Sequence, residues 1–354
     1  MSKMVKTMKI SNWMLAGCVS LMSVATVAQT GSSAAAPQVP KPAPAPLVLN
    51  SLDPTGKPDP FPPVNAKYFT AATPTVDTVN SFLKQLWGYD PNRIWRVEAI
   101  QATPAPGVAK VVVFVSDKTP NAKVQTTSFF VTPDGNHALA GDGVVPFGAK
   151  PFEQARKLLQ AGADGASRGA ASKDFMLVEF ADLQCPHCKD AQATMDQLVK
   201  DFPNARVVYQ SFPLVDIHPF AFKAAAYGYC IEHQKNDAFF PYAAAVYDAQ
   251  AGLTPEAGDA TLKAAVTKAG LDPAAIDACA GTQATKDSVN NSIKLAEAAG
   301  VDQTPTIAVN GHVMPLTQIP YETLKAMISN QAALDGVNGS GPAVDTRKVP
   351  TLGK

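Results

Sequence analysis

The sequence predicts an α/β chain: a small α+β unit, one helix on an antiparallel sheet, followed by a larger α/β unit with a helical insertion. Three observations predict it. Residues 66–150 pass from one helical repeat into β-branched runs separated by turn signals. Phe175–Ala181 is a continuous apolar run of the kind a central strand shows, and 218–299 is rich in Ala at helical spacing with almost no strand signal. A length of 354 residues agrees with about two domains. Lys+Arg and Asp+Glu each number 30, so the balanced charge gives no steering toward nucleic acid or an anionic membrane. The 46% apolar content suits a globular core and excludes collagen-like, coiled-coil and polytopic membrane classes.

At the start of the chain, Lys3, Lys6 and Lys9 precede an apolar or small-residue run from Trp13 to Val27, and Thr26-Val27-Ala28 offers small residues for cleavage. This reads as a secretory signal peptide over 1–28. Leu15-Ala16-Gly17-Cys18 is similar to a lipoprotein box, so a lipid anchor at Cys18 is the alternative; the apolar run continues past Cys18, which favours cleavage after Ala28. Export, periplasmic or otherwise, implies an oxidising compartment, and removing 1–28 leaves four of the five cysteines. Residues 29–65 hold ten prolines between Pro37 and Pro63 and are expected to be an unstructured linker.

In 66–150, Val76, Val79, Phe82, Leu83 and Leu86 predict a helix that stops at Gly88. Strands are expected at 94–101, 108–115, 124–132 and 137–140, the last pair joined through the turn Pro133-Asp134-Gly135-Asn136. Residues 151–172 read as a connector: a short amphipathic helix carrying Phe152, Ala155, Leu158 and Leu159, then a flexible Gly162–Ala171. In 173–331 the central strand is followed by Cys185-Pro186-His187-Cys188, a helix to about Asp201, a second strand at 206–212, the insertion 218–299, a strand pair at 306–316 and a helix over 321–331. The residues 332–354 are expected as a disordered tail.

The chemistry centres on Cys185 and Cys188. A Cys-x-x-Cys directly after a buried strand and in the first turn of a helix reads as a redox pair. Pro186 suits the first helical position. The helix N-terminus turns free N–H groups and a positive dipole toward the Cys185 sulfur, and a protonated His187 adds a cation; both favour the thiolate, the reactive species. Cys188, one turn in, is the candidate resolving thiol. Glu179 lies in the apolar strand, where a carboxylate is costly without a partner or a task; it is either a proton acceptor for Cys188 or an outward-facing edge residue. Pro305, after Thr304, is either an edge-strand proline or a cis bond that turns the Thr304 backbone toward the cysteines, ready to pair with an extended substrate.

Phe180-Ala181-Asp182-Leu183-Gln184-Cys185-Pro186-His187-Cys188-Lys189, with Thr304-Pro305-Thr306 far downstream, resembles the DsbA-type thioredoxin-fold oxidoreductases. The resemblance implies a thioredoxin fold with a helical insertion, Cys185 as attacking cysteine, Cys188 as resolving cysteine, Glu179 as buried acid and Pro305 as cis-proline. It implies no cofactor. It also implies cysteine-containing folding proteins as substrates and a membrane redox partner that resets the site. The Pro-His dipeptide is similar to the oxidant subgroup, whereas Thr304 looks more like the isomerase branch. The first unit, with Val131–His137, resembles the dimerisation domain of DsbC/DsbG-type isomerases, which implies a homodimer.

Cys230 and Cys279 fall in the insertion. The plain reading is a structural disulfide; a second redox pair, or Cys230-x-x-His233 as half a metal site, are the alternatives. His218 is expected to cap the insertion helix, with approach to the rim of the site as the alternative, and His137 and His312 to be exposed. The function expected is an exported dithiol oxidase. A dimeric isomerase or reductase, and a copper-handling thiol chaperone using Cys185 and Cys188 as soft ligands, are the competing readings.

Overall fold

The computed structural model describes residues 60–349 apart from Pro120, Asp142, Gln318, 339–340 and 346–348. The signal peptide, the Cys18 anchor and most of the proline-rich linker lie outside the described residues.

The N-terminal sheet is an antiparallel meander in chain order, β1 (Arg93–Ala102), β2 (Ala109–Asp117), β3 (Gln125–Val131), β4 (His137–Ala140) and β5 (Gly143–Pro146). Helix α1 (Val76–Trp87) packs on one face; its first turn is capped by the Thr75 hydroxyl, which accepts the Thr78 N–H. Alternation along β2 sends Val111, Val113 and Val115 inward against Val79, Phe82 and Leu83. β5, a short strand around Val144 and Val145, pairs with the edge of β4, with Ala138 opposite Val145. Upstream, Phe61 stacks on Phe114 with centroids 6.3 Å apart, so the expected linker is pinned before residue 66.

The second sheet is mixed, in the order β10-β9-β7-β8-β6. Its strands are β6 (Ser167–Gly169), β7 (Met176–Ala181), β8 (Arg206–Ser211), β9 (Thr306–Val309) and β10 (His312–Pro315), with β7 and β8 parallel and the other pairs antiparallel. Side chains of β7 alternate between two cores. Leu177 joins α3 (Pro186–Asp201) and α9 (Tyr321–Leu334) on one face. Met176, Val178 and Phe180 join α2 (Glu153–Gly162) and α8 (Gln283–Ala298) on the other. The remaining insertion helices, α4 (Ala221–Gln234), α5 (Asn236–Asp248), α6 (Gly258–Lys268) and α7 (Pro273–Ala280), enclose a core of Tyr227, Ile231, Phe239, Tyr242, Val246 and Leu262 that reaches Cys185 and Cys188.

Two expectations are corrected. The glycines of 162–171 do not make a flexible connector, because they let an edge strand approach β8 closely. A Cβ on Gly165 would meet the Tyr209 carbonyl at 2.1 Å, and one on Gly169, at φ +81, the Ala205 carbonyl at 2.3 Å. At the other end α9 runs on to Leu334, and the Asp345 N–H donates to Glu322 Oε2 at 3.1 Å, so this part of the expected tail is tied to the domain.

Candidate active site

β7 delivers the chain to the head of α3, where Cys185 is the N-cap and Pro186 the first helical residue, a place that needs no main-chain donor. Both cysteines are free thiols. The Cys188 thiol donates to the Cys185 sulfur, and this is the strongest influence on it. Burial works against ionisation, but the Cys188 thiol, joined by the Thr304 side chain and the main-chain N–H groups of Cys188 and His187, outweighs it. The Cys185 pKa falls from 9.0 to about 5. Cys188 goes the other way: burial first, then the neighbouring Cys185 sulfur, push its thiol far above the ordinary range.

The expected cation is corrected here. His187 is exposed, and its main-chain N–H rather than its ring acts on Cys185. The donated Cys188 thiol, which outranks the helix terminus, was not foreseen.

Glu179 is buried in the middle of β7, bordered by β8 and β9, so the edge reading is excluded. Burial raises its pKa to about 7, against the pull of the hydrogen bond from Gln192. Gln192 Nε2 donates to Glu179 Oε1 at 2.8 Å and to the Cys188 carbonyl at 3.0 Å, which links the acid to the turn that carries the second thiol. Tyr209, opposite Glu179 on β8, keeps its proton because of burial and then the charges of Cys188 and Glu179.

Across the site the Thr304–Pro305 peptide is cis, and the Thr304 carbonyl lies 3.8 Å from the Cys185 sulfur. The other pair is elsewhere: Cys230 on α4 and Cys279 on α7 form a disulfide with an S–S distance of 1.98 Å. Cys230 is therefore not a ligand beside His233. Among the described residues no three His, Cys, Asp or Glu side chains gather at metal-holding distance.

Residues 163–330 match the family model described as Thioredoxin. This stretch is a thioredoxin-type domain. A periplasmic thioredoxin-like protein from Salmonella enterica serovar Typhimurium is similar to it in structure, at 21% identity over 51% of this chain and 97% of that one, with a TM-score of 0.43. The catalytic domain of Proteus mirabilis ScsC is similar at 19% identity over 51% and 99% of the two chains, with a TM-score of 0.44. In sequence, a Na(+)/H(+) antiporter NhaA 1 of Salinispora arenicola is 40% identical over 58 residues, 16% of this chain. The chain spans only 9% of that antiporter's length. No helix among the described residues is long and apolar enough to cross a membrane.

The thioredoxin-type domain also uses residues that sequence reasoning passed over. Gln192 is one. Gln250, at the start of the short 3-10 turn Gln250–Gly252 that follows α5, donates from Nε2 to the carbonyls of Leu183 and Cys185, each at 3.0 Å. Asp182, three residues before Cys185, is another; its partner at 2.7 Å is His218, which therefore reaches the rim of the site and does not cap the insertion helix, whose N-cap is Phe220. Asp182 stood inside the motif, where its burial beside an apolar strand was the available signal; nothing local marks Gln192 or Gln250. His312, expected to be exposed, is half-buried and stacks on Phe152 at 3.9 Å, and burial lowers its pKa to about 4.

Proposed function

We propose that the chain is an exported thiol–disulfide oxidoreductase that acts as a dithiol oxidase on cysteine-containing folding proteins. One observation carries the reading: of two adjacent thiols, Cys185 is held ionised at neutral pH and Cys188 is held protonated. A stabilised Cys185 thiolate favours the dithiol form, which makes the disulfide form oxidising. A substrate thiolate attacks Cys185, the Cys185–Cys188 bond breaks, and Cys188 leaves with the electron pair and takes a proton from Glu179. A second substrate thiolate then attacks the substrate sulfur of the mixed disulfide, and Cys185 leaves as a thiolate. The substrate loses two electrons and the protein gains them; a membrane redox partner takes them away. Thr304 and Pro305 border the sulfur that the substrate reaches, and Pro186 shapes the turn beneath it.

A second reading, a dimeric isomerase or reductase kept reduced, is favoured by the N-terminal sheet. Phe130, Leu139 and Val144 lie opposite one another across β3, β4 and β5 and are 39%, 42% and 63% exposed, an apolar row that a second copy would cover. Alkylation trapping in the native cell separates the readings. Cys185 and Cys188 found oxidised supports the oxidase; found reduced, together with a dimer in sedimentation, it supports the isomerase. N-terminal sequencing of the mature chain tests export: a start after Ala28 is expected, and a blocked Cys18 would replace it with lipid anchoring.

A further inference from the structure

Asp182 is the first residue after β7, and its carboxylate is completely buried. A charge in such a place is costly unless it is paired and hydrogen-bonded. Asp182 has both. Oδ1 accepts the Gln184 N–H at 2.7 Å; Oδ2 accepts the Leu214 N–H at 2.9 Å and lies 2.7 Å from His218 Nδ1. His218 arrives 36 residues later, in the loop between β8 and α4, and its side chain is 16% exposed. That loop is tied to the motif twice more: Phe220 N–H donates to Gln184 Oε1 at 2.7 Å, and Phe212 N–H to the Ala181 carbonyl at 2.9 Å.

The main chain of Asp182 faces the cysteines. Its N–H donates to the Cys188 sulfur at 3.4 Å, and its carbonyl accepts the Cys185 N–H at 3.1 Å. One residue thus touches both members of the redox pair through its backbone while its side chain is locked to a distant loop.

We propose that the Asp182–His218 pair is a positioning device for thiol exchange: by fixing the Asp182 side chain it holds the Asp182 main-chain N–H on the Cys188 sulfur. The inference rests on the redox reading above and deepens it. When a substrate thiolate attacks oxidised Cys185, the electron pair of the broken bond goes to Cys188. Negative charge then develops on a buried sulfur, where a fixed N–H donor counts for more than it would in water. No Asp182 donor reaches the Cys185 sulfur. Its thiolate is held by the Cys188 thiol, the Thr304 side chain and the N–H groups of α3. The pair therefore places a donor on the Cys188 sulfur, whereas Cys185 meets Asp182 only through its own main-chain N–H; a merely structural role would not single out the inner sulfur.

The test uses the full chain and two substitutions of equal shape. His218→Leu removes the donor; His218→Asn keeps an N–H where Nδ1 stands. Dithiothreitol attack on the oxidised protein is followed by rapid quench and alkylation. His218→Leu is expected to slow it about tenfold, the worth of one charge-assisted hydrogen bond, with His218→Asn at the native rate. Iodoacetamide alkylation of Cys185 in the reduced protein stays the same in all three. An unslowed Leu variant, equal slowing of both variants, or alkylation falling in parallel would overturn the proposal. If circular dichroism finds the Leu variant unfolded, the Asn variant decides alone: native exchange supports the device and a tenfold loss overturns it. Wild-type protein inert to dithiothreitol would instead overturn the redox reading itself, and this one with it.

Discussion

The chain holds two cysteine pairs whose surroundings differ in one respect that matters. Cys230 and Cys279 join two helices of the insertion as a disulfide, with Cys230 buried in the helical core. Cys185 and Cys188 lie one turn apart at a helix N-terminus, with donors aimed at the Cys185 sulfur and a buried acid tied through Gln192 to the turn that carries Cys188. The first pair closes a loop; the second is built so that its two sulfurs have opposite proton affinities. Burial alone does not make a cysteine reactive. What separates the pairs is the set of donors gathered on the Cys185 sulfur, the Cys188 thiol first among them, against the burial that governs Cys188.

The sharpest break in this comparison is Cys185→Ser, which is expected to abolish thiol exchange in a dithiol-oxidation assay; Cys188→Ser should instead accumulate mixed disulfides visible by mass spectrometry. Removing the other pair should do the reverse. Cys230→Ala with Cys279→Ala reopens a loop of 49 residues and should cost about 4 kcal/mol of stability in the chain-entropy account, measured by urea unfolding, while exchange at Cys185 continues. Loss of exchange at retained fold would erase the distinction between the pairs.

Glu179 gives the next largest effect, and its sign can be worked out. Its folded pKa of about 7 stands above the ordinary 4.5, so the folded state holds this proton more tightly. Stability contributed by the protonated acid is present at low pH and is lost as pH rises through about 7. Glu179→Gln should therefore match the wild type near pH 4 and exceed it near pH 8 by about 3 kcal/mol, while slowing exchange at neutral pH by about 100-fold. Denaturation curves that run parallel at both pH values would contradict the buried-acid account. The smallest effect is expected from Gln192→Leu: with its donor gone, Glu179 should titrate at still higher pH, and the pH profile of exchange should shift upward with it.

The element pattern of the domain was legible because it follows from period and burial. Phe175–Ala181 reads as a central strand, and β7 occupies Met176–Ala181. The helices of the insertion announce themselves by Ala-rich 3.6-residue repeats. β6 was missed because glycines signal flexibility in one dimension and close approach in three. The same divide runs through the site. Cys185, Cys188, Glu179 and Pro305 can be picked out locally, since each is an unusual residue for its segment. Gln192 and Gln250 are ordinary residues on helices, and only the folded chain brings them to the cysteines; His218 has its place at the rim from the sequence, but its partner Asp182 comes only from the fold. The dominant cause of the Cys185 shift, a hydrogen bond between the two thiols, depends on a distance that no spacing rule contains.

The most direct test of the account is the absorbance of the reduced protein near 240 nm, where a thiolate absorbs and a thiol does not, followed as pH is raised. The account predicts one transition with a midpoint near 5, from Cys185, with Cys188 silent through neutral pH. A first transition near 9 would contradict it, because neither sulfur would then be held ready to accept or donate a disulfide.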